Sequence, residues 1–470
     1  MRCVTCGWKK ISVDEGTAVG LRSGNGLLRP LKVTARDAEI LRLAVPALGA
    51  LIAEPLFLLA DSAIVGRLGT LPLAGLGIAG AVLGTAVSVF VFLAYGTTAG
   101  VARRLGAGDE KGALSQGVDG LWLALGLGVV TALAVLALSG PLVDGLGVSA
   151  AARPYALTYL HLSLIGLPGM LVVLAATGVL RGLQDTRTPL VVAAAGAVLN
   201  VVLNLLLVNG LGWGIAGSAV GTAVTQVLMA VALVVVVARG VLRTGAPITP
   251  HPGGVLRNAL DGVPLLVRTL TLRAALLLTT FVAAAQGDAG IAAHQVANTV
   301  WTTTALALDA LAIAAQALVG RSLGAGDVAG VRATVRRMVQ WGVAVGVVVG
   351  LVIALASGPI AGFFAPGGGD VRAYLTAALV VLAVCLPVAG WVFVLDGVLI
   401  GAGDGRYLAR AGLVTLACYA PLALAVLWFG PTGRAGLVWL WVSFAGVFML
   451  ARLVTLVRRE RSDAWMVTGA

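Results

Sequence analysis

The chain carries little charge for its length. Only 11% of its 470 residues are charged, whereas 59% are hydrophobic. A soluble domain does not need so much apolar surface, so the composition excludes a soluble globular protein and predicts a polytopic membrane protein. The formal net charge of +12 does not indicate nucleic-acid binding, because the basic residues lie between apolar runs, where they set the topology.

Residue types that hold metals, nucleotides or disulfides are also scarce. Cys3 and Cys6 form a lone C-x-x-C pair, Cys385 and Cys418 lie in apolar runs, and the three histidines are scattered. We therefore expect no disulfide framework, no metal site and no cofactor. The phosphate-binding pattern G-x-x-x-x-G-K-[ST] is absent, so no ATP-binding subunit is implied. Clustered catalytic residues are missing too, which argues against a membrane enzyme.

Long apolar runs dominate the rest of the chain. Runs of about 20 residues or more predict twelve membrane-spanning helices. They lie near residues 40–65, 73–98, 118–140, 154–180, 189–209, 215–238, 260–285, 291–317, 338–358, 373–398, 411–430 and 436–456. The predicted organisation is a flexible tail (1–37), a six-helix lobe (38–238), a Pro- and Gly-rich linker (239–257), a second six-helix lobe (258–457) and a short tail (458–470).

The basic residues predict the orientation. Of the 32 Lys and Arg residues, 25 fall in the tails, the linker and the alternate loops that share one face, four fall on the other face, and three lie within spans. By the positive-inside rule, the face with 25 bases is cytoplasmic. The prediction is a multi-pass protein of the plasma membrane with both termini in the cytoplasm.

The two halves repeat. Leu105-Gly106-Ala107-Gly108-Asp109 recurs as Leu323-Gly324-Ala325-Gly326-Asp327, and Val45-Pro46 recurs as Val263-Pro264 at the same offset along the chain. Because each half has six helices, corresponding helices run in the same direction, and the repeat is parallel. Such repeats are found in transporters that rock two helix bundles about a central site. The fold class is therefore predicted as all-α, with twelve helices in two pseudo-symmetric lobes.

Two carboxylates interrupt the first apolar span. Glu54 and Asp61 are separated by about two helical turns, so both are predicted to point the same way. A charged side chain near mid-bilayer costs about 2.5–3.5 kcal/mol, so such residues tend to face a cavity and to have a function. Pro55 follows Glu54 directly, frees one backbone carbonyl and permits a bend.

Several ordered motifs resemble one family. They are Asp61-Ser62-Ala63-Ile64-Val65-Gly66-Arg67-Leu68-Gly69, Arg181-Gly182-Leu183-Gln184-Asp185-Thr186-Arg187-Thr188-Pro189 and the two Leu-Gly-Ala-Gly-Asp loops. Together they look like the multidrug and toxic compound extrusion (MATE) family. Ala293-His294-Gln295, Ala312 to Gly320 and Leu395-Asp396-Gly397 resemble its DinF-like branch. The resemblance covers roughly residues 38–456.

The resemblance implies a proton site in the first lobe. The matching residues are Asp61 on the first helix and Asn200 and Asn204 on the fifth. Many relatives have an acid where this chain has Asn204, and an amide does not titrate, so Asp61 would carry the proton with the amides as hydrogen-bond partners. The alternative is that Asp61 marks the helix end near Arg67. For Glu54, a second titrating group and a neutral hydrogen-bonding acid both stay open.

The second lobe offers further candidates. Arg268 and Arg273 on the seventh helix and Asp309 on the eighth are expected to form an Arg-Asp pair, with a role in coupling as the alternative. Asp396 is interpreted as a helix-end or loop-anchoring acid. His294 is expected to be a hydrogen-bonded packing residue, although a histidine can titrate near neutral pH.

Acids also recur in the loops of the basic face. Four of them are predicted to cap the helix that follows, in loops whose glycines allow tight turns: Asp109, Asp185, Asp327 and Asp404.

The resemblance implies a secondary antiporter. It would export organic compounds, cationic and amphipathic, from the cytoplasm in exchange for protons. A sodium-coupled exporter would use the same acids with other oxygen ligands. A lipid-linked precursor flippase of the wider superfamily would share the architecture, but more basic residues would then be expected inside the lobes to meet a pyrophosphate. The expected partners are the small-molecule substrate, H⁺ or Na⁺, and the bilayer.

Overall fold

A computed structural model of the protein describes residues 35–469. The predicted tail, except for its last three residues, lies outside this range, as do Cys3 and Cys6. Within residues 35–469, the structure confirms twelve helices that are long and apolar enough to cross a membrane. They are α1 (Ala35–Gly66), α2 (Thr70–Gly106), α3 (Glu110–Ala137), α4 (Arg153–Gly182), α5 (Arg187–Gly210), α6 (Gly214–Thr244), α7 (Pro252–Ala284), α8 (Asp288–Gly324), α9 (Val328–Phe364), α10 (Gly369–Gly401), α11 (Gly405–Phe429) and α12 (Arg434–Arg461).

The helices extend beyond the apolar runs that predicted them. Helices α2, α8 and α9 each have 37 residues, because polar residues at their ends continue the helix past the apolar stretch. The loop between the halves, 245–251, is accordingly shorter than the predicted linker 239–257. Two turn residues, Phe90 and Val91, interrupt α2. Residues 35–469 contain no β-strand.

Three of the four loop acids cap helices, as predicted. Asp109 Oδ1 accepts a hydrogen bond from Gly112 N at 2.8 Å, and Asp327 Oδ1 accepts one from Gly330 N at 2.8 Å. Asp185 accepts in the same way from the backbone N–H groups of residues 187 and 188. These bonds satisfy N–H groups that have no partner within the helix.

The prediction for Asp404 is wrong. Its side chain makes no capping bond to α11. Instead, its Oδ2 accepts from Arg459 Nε at 2.6 Å. Helix α12 brings this guanidinium beside the loop, and an ionised donor forms the stronger hydrogen bond.

The internal repeat has a geometric counterpart where α2 meets α8. A Cβ on Gly106 would overlap the carbonyl oxygen of Arg321, and a Cβ on Gly324 would overlap that of Arg103. At the offset of the internal repeat, Gly106 corresponds to Gly324 and Arg103 corresponds to Arg321. The two helix ends therefore cross at the pseudo-two-fold axis, and glycine is required on both sides.

The two lobes, α1–α6 and α7–α12, meet mainly at the face that carries residue 35 and the end of α12, here called the terminal face. Asp37 at the start of α1 accepts from Arg337 Nε at 2.5 Å and from Trp341 Nε1 at 2.7 Å, both on α9. Deeper in the molecule, Ala47 of α1 packs with Ala310 and Ile313 of α8. These contacts join the lobes on the terminal side.

Beyond that contact, α8 exposes a polar face. Gln295, Thr299, Thr302 and Thr303 are exposed, although α8 is largely buried elsewhere. The three threonine hydroxyls donate to backbone carbonyls one turn earlier in α8. The Gln295 amide has no partner among the described residues, and lipid cannot supply one, so this face of α8 indicates a water-filled cavity. The lobes thus leave a cleft that opens toward the opposite face.

The cores of the lobes differ in composition. In the second lobe, Tyr419 and Phe444 pack with ring centroids 6.0 Å apart, and Phe444 stacks on Phe448 at 5.7 Å. Two clusters of buried apolar residues lie wholly in the first lobe, and Tyr159 is the one buried aromatic ring that they contain. Buried aromatic rings are therefore concentrated in the second lobe.

Candidate functional site

Asp61 is the centre of a buried polar cluster in the first lobe. It lies near the end of α1 and is only 1% exposed. Its Oδ2 accepts a hydrogen bond from Tyr159 Oη on α4 at 2.8 Å, and its Oδ1 accepts from Asn204 Nδ2 on α5 at 2.8 Å. Ser218 Oγ on α6 also donates to Oδ1. Three other helices of the lobe thus each supply one donor to this carboxylate.

A second layer of amides positions the first. Asn204 Nδ2 also lies 3.2 Å from Asn200 Oδ1, and Asn200 Nδ2 donates to Thr222 Oγ1 at 3.2 Å. Asn200 and Asn204 are fully buried. They are one turn apart and so share a face of α5. A Cβ on Gly221 would collide with Asn204 Oδ1, so the glycine on α6 makes space for the amide.

The backbone changes at this point. A π-helical segment, Leu205–Gly210, begins directly after Asn204. Such wide turns are rare and occur frequently at functional sites. The segment also shifts the helical phase, so residues beyond Asn204 do not continue the polar face.

The cluster holds one charge and no counter-charge. Within residues 35–469, no Lys, Arg or His side chain lies within ion-pair distance of Asp61. Its three donors are neutral hydroxyl and amide groups. Protonation of Asp61 would therefore break no ion pair and would remove the only charge of the cluster.

The structure brings together three of the four predicted first-lobe residues. Asp61, Asn200 and Asn204 form one cluster, and their role in coupling stays a prediction. Glu54 does not join this cluster, because its side chain is exposed while Asp61 is buried, and its role stays a prediction. Pro55 lies between them and removes one backbone hydrogen bond, so an ideal helix does not describe their relative direction.

Sequence reasoning missed three members of the cluster: Tyr159, Ser218 and Thr222. Ser218 and Thr222 are one turn apart on α6, which is a weak pattern. Hydroxyl side chains in apolar helices commonly bond to their own backbone, as Thr225 does to the carbonyl of Gly221, so this spacing alone does not identify site residues.

The ion pair of the second lobe has a different carboxylate from the one expected. Arg268 pairs with Asp396, not with Asp309. Arg452 Nη2 on α12 adds a second contact to Asp396 Oδ2 at 3.0 Å. Asp396 is thus no helix-end acid, because α10 buries it between two guanidinium groups. Arg273 is exposed and has no ion-pair partner in the described range.

Asp309 occupies the junction of the lobes. It is half-buried, and the described residues give it no direct hydrogen bond or ion pair. It interacts electrostatically with Arg268 and Arg452 of its own lobe and with Arg181 of α4. The guanidinium of Arg268 also lies over the ring of Tyr95 on α2, 5.7 Å from its centroid. Helical spacing places Asp309 on the polar face of α8, at the floor of the cleft.

His294 lies in the aromatic core of the second lobe. Its Nε2 is 3.2 Å from Thr280 Oγ1, and its ring is 5.6 Å from that of Trp441. This is the environment of a packing residue, and titration of His294 stays untested. Among the described residues, no three His, Cys, Asp or Glu side chains are grouped so as to hold a metal ion.

Twelve spanning helices in two repeated lobes, with a cleft between them and a buried carboxylate without a counter-ion in the first, define a multi-pass membrane transporter. The MatE family model matches residues 46–206 and 264–429, more than half of the chain. The chain belongs to the multidrug and toxic compound extrusion (MATE) family.

Individual relatives span nearly the whole chain. It is 32% identical to Protein DETOXIFICATION 44, chloroplastic, of Arabidopsis thaliana, over 91% of this chain and 83% of that protein. It is 28% identical to DNA damage-inducible protein F of Escherichia coli, over 92% of this chain and 95% of that protein. These matches confirm both the family and the DinF homology.

Solved structures show the same fold. A crystal structure of a MATE protein in a bent conformation superimposes with a TM-score of 0.82 at 23% sequence identity, over 92% of this chain and 96% of that one. Identity this low shows the fold alone. The likeness confirms the prediction of twelve helices in two six-helix lobes.

Proposed function

We propose that this protein is a secondary antiporter that exports organic, cationic and amphipathic compounds from the cytoplasm in exchange for protons. The two lobes enclose a cleft that faces the cytoplasm and the exterior in turn. Asp61 accepts a proton from the exterior, and the loss of its charge favours one arrangement of the lobes. The terminal face is the cytoplasmic one in this proposal, in agreement with the 25 basic residues that the sequence predicts for that side.

One observation carries the proposal: a buried carboxylate is held by neutral donors from three helices. An unpaired charge is costly in a membrane interior, so a buried carboxylate without a counter-ion indicates a functional role. A change in its protonation alters the hydrogen bonds of α1 with α4, α5 and α6 together. Protonation of Asp61 therefore directly changes how these four helices pack together.

Asn204 suits both protonation states of Asp61. In the ionised state its Nδ2 donates to the carboxylate at 2.8 Å. A flip of the amide would exchange Nδ2 and Oδ1, and Oδ1 would then accept a hydrogen bond from the protonated acid. An acid at this position would instead add a second charge and couple the two titrations.

The energy of one proton is sufficient for export. A proton that moves through about 100 mV and one pH unit supplies about 3.7 kcal/mol. For an uncharged compound, that free energy sustains a concentration ratio of about 500. Export of a monovalent cation against the same potential costs about 2.3 kcal/mol, which leaves about 1.4 kcal/mol and a ratio of about 10.

A sodium-coupled exporter is the second candidate. Asn204 Oδ1 is buried and has no hydrogen-bond partner among the described residues. This free oxygen, with the Asp61 carboxylate and the nearby hydroxyls, is a set of ligands that suits a hard cation. A lipid-linked precursor flippase is less well supported, because Arg268, a base inside the second lobe, is occupied by its ion pair with Asp396.

Transport by purified protein in liposomes tests the proposal. Uptake of a fluorescent organic cation is measured under a pH gradient and, separately, under a sodium gradient. We expect the pH gradient alone to drive uptake by the wild type. Asp61→Asn should reduce uptake to the level of protein-free liposomes while keeping a wild-type melting temperature. The amide oxygen still accepts from Ser218 and Asn204, and the amide N–H group can donate to the Tyr159 hydroxyl oxygen.

A matched acid-to-amide variant serves as the control. Asp144 lies on the exposed loop helix between α3 and α4, outside the spanning helices, and pairs with Arg153. Asp144→Asn should transport like the wild type. Uptake driven by a sodium gradient alone would show that the coupling ion is Na⁺ and not H⁺. Normal transport by Asp61→Asn would show that Asp61 does not carry the coupling proton.

A further inference from the structure

The chain beyond α12 folds back across the terminal face. A short 3₁₀ turn, Asp463–Trp465, follows α12. Trp465 is only 2% exposed, and its Nε1 donates to the carbonyl of Glu460 at 3.0 Å. Asp463 Oδ1 accepts from Arg332 Nη2 on α9 at 2.6 Å. This segment, residues 462–469, is here called the strap, and it is anchored to the second lobe.

The tip of the strap reaches the crossing of α2 and α8. Gly469 N donates to the carbonyl of Leu323 at the end of α8, at 3.2 Å. On the other side, Arg103 of α2 donates from Nη2 to the carbonyl of Val467 at 2.5 Å and from Nε to that of Gly469 at 3.2 Å. The strap therefore ends at the pseudo-two-fold axis, where the lobes touch.

Arg103 is a bridge between the lobes. It belongs to the first lobe, and its Nη1 donates to a third acceptor, the carbonyl of Ala402 at the end of α10, at 3.0 Å. All three acceptors are backbone carbonyls of the second lobe. No carboxylate of residues 35–469 lies within ion-pair distance of Arg103. Among the residues that the structure describes, its charge is thus stabilised only by groups that are in place when the terminal side of the cleft is closed.

The neighbouring arginine is bound differently. Arg104 Nε donates to Gln116 Oε1 at 2.9 Å, and its Nη1 pairs with Asp109 at 3.2 Å. Both partners belong to the first lobe. Separation of the lobes would leave these bonds intact and would break those of Arg103. The two arginines carry the same charge at the same helix end and form a matched pair for an experiment.

We infer that the strap holds the terminal side of the cleft closed by capturing Arg103. Opening of that side requires α2 to leave the ends of α8 and α10, and Arg103 then loses its carbonyl acceptors. Hydrogen bonds from charged donors are stronger than those between neutral groups. This inference concerns the lobe arrangement; it rests on the proposed alternation of the two lobes and not on the transported compound or the coupling ion.

Distance measurements between spin labels test the inference without a gradient or a substrate. One label pair reports the terminal side, at exposed positions 111 and 329 on α3 and α9. A second pair reports the opposite side, at exposed positions 70 and 288. Each pair is introduced into a full-length, otherwise cysteine-free protein. The variants are Arg103→Gln, Arg104→Gln and a chain that ends at Met466, which retains the buried Trp465.

We expect the Arg103→Gln variant to raise the ratio of terminal-open to terminal-closed protein about tenfold, as the loss of charge-assisted hydrogen bonds implies. The distance between 111 and 329 should lengthen while that between 70 and 288 shortens. The truncated chain should shift in the same direction by less, because Arg103 keeps its bond to Ala402. Arg104→Gln should match the wild type.

The combination of both changes decides whether the strap acts through Arg103. Truncation in the Arg103→Gln background should add nothing. Wild-type distances in both Arg103→Gln and the truncated chain would overturn the inference. Equal shifts in Arg103→Gln and Arg104→Gln would also overturn it. Melting temperatures separate a shifted equilibrium from a loss of folding. Because the labels report lobe positions alone, failure of the antiport experiment would leave this result interpretable.

Discussion

The two lobes are repeats in sequence, but the same position has a different environment in each lobe. At the offset that relates the repeated loops, Asp61 of α1 corresponds to Thr279 of α7. Asp61 is the centre of a polar cluster, whereas Thr279 bonds to Tyr419 Oη at 2.5 Å beside an aromatic core. The polar site of the first lobe has thus been replaced by packing in the second.

Buried charge is also distributed differently. The second lobe keeps its acid, Asp396, nearer the terminal face and pairs it with two arginines. Asp61 lies toward the opposite face and has neutral partners only. A carboxylate between two guanidinium groups has a structural role by default, because loss of its charge leaves both cations unpaired. A carboxylate with neutral partners is free to change its charge. In the proposed mechanism, the paired acid therefore stabilises the second lobe, whereas the acid with neutral partners serves coupling in the first.

The largest expected effect on stability is at Asp396. Asp396→Asn should lower the free energy of unfolding by about 3–5 kcal/mol, since removal of one partner leaves a buried charge uncompensated. Thermal unfolding of the purified protein measures the loss. Asp327→Asn is the control, because Asn caps a helix as well as Asp does. Equal melting temperatures for Asp396→Asn and the wild type would show that the pair is not structural.

A smaller effect is expected at Thr279. Thr279→Val keeps the shape of the side chain but leaves the buried Tyr419 hydroxyl without its partner, which should cost about 1–3 kcal/mol. Transport per folded molecule should stay at the wild-type level, in contrast to Asp61→Asn. A selective loss of transport in a stable Thr279→Val protein would mean that the second lobe retains a functional site at this position.

The smallest effect is expected at the exposed pair of Asp144 and Arg153. The hydrogen bond from Arg153 Nε, at 2.6 Å, lowers the pKa of the Asp144 carboxyl below its ordinary value. A lowered pKa stabilises the fold above the unfolded-state pKa, and this contribution is lost as the pH falls through the folded-state value. Exposed pairs contribute little, so Asp144→Asn and wild type should melt together at pH 7. A clear difference at pH 7 that persists at pH 3 would contradict this account.

Much of the fold was predictable from local pattern. The apolar runs predicted all twelve helices because a spanning segment must bury its backbone polar groups within itself. The repeated Leu-Gly-Ala-Gly-Asp loops predicted the helix caps at Asp109 and Asp327. The outcome at Asp404 was not predictable, because the competing donor, Arg459, comes from another helix, α12.

The candidate site was predictable only in part. Asp61 stands out as an acid in an apolar run, and the spacing of Asn200 and Asn204 places them on one face. Their hydroxyl partners on α4 and α6 carry no comparable pattern. The pairing of Arg268 with Asp396 was also missed. The second lobe contains several acids and arginines, and the sequence alone does not show which of them pair.

The sequence by itself determined the number of helices, their parallel repeat and the presence of costly carboxylates, because these follow from hydropathy and spacing along one chain. Only the tertiary structure decided which carboxylate received a counter-charge. Asp61 contacts two hydroxyls and one amide from three helices, and Asp396 contacts two arginines. The same holds for Arg103, whose acceptors are carbonyls from the far end of the chain. Such contacts depend on how helices from distant parts of the sequence are packed, and no local pattern records that.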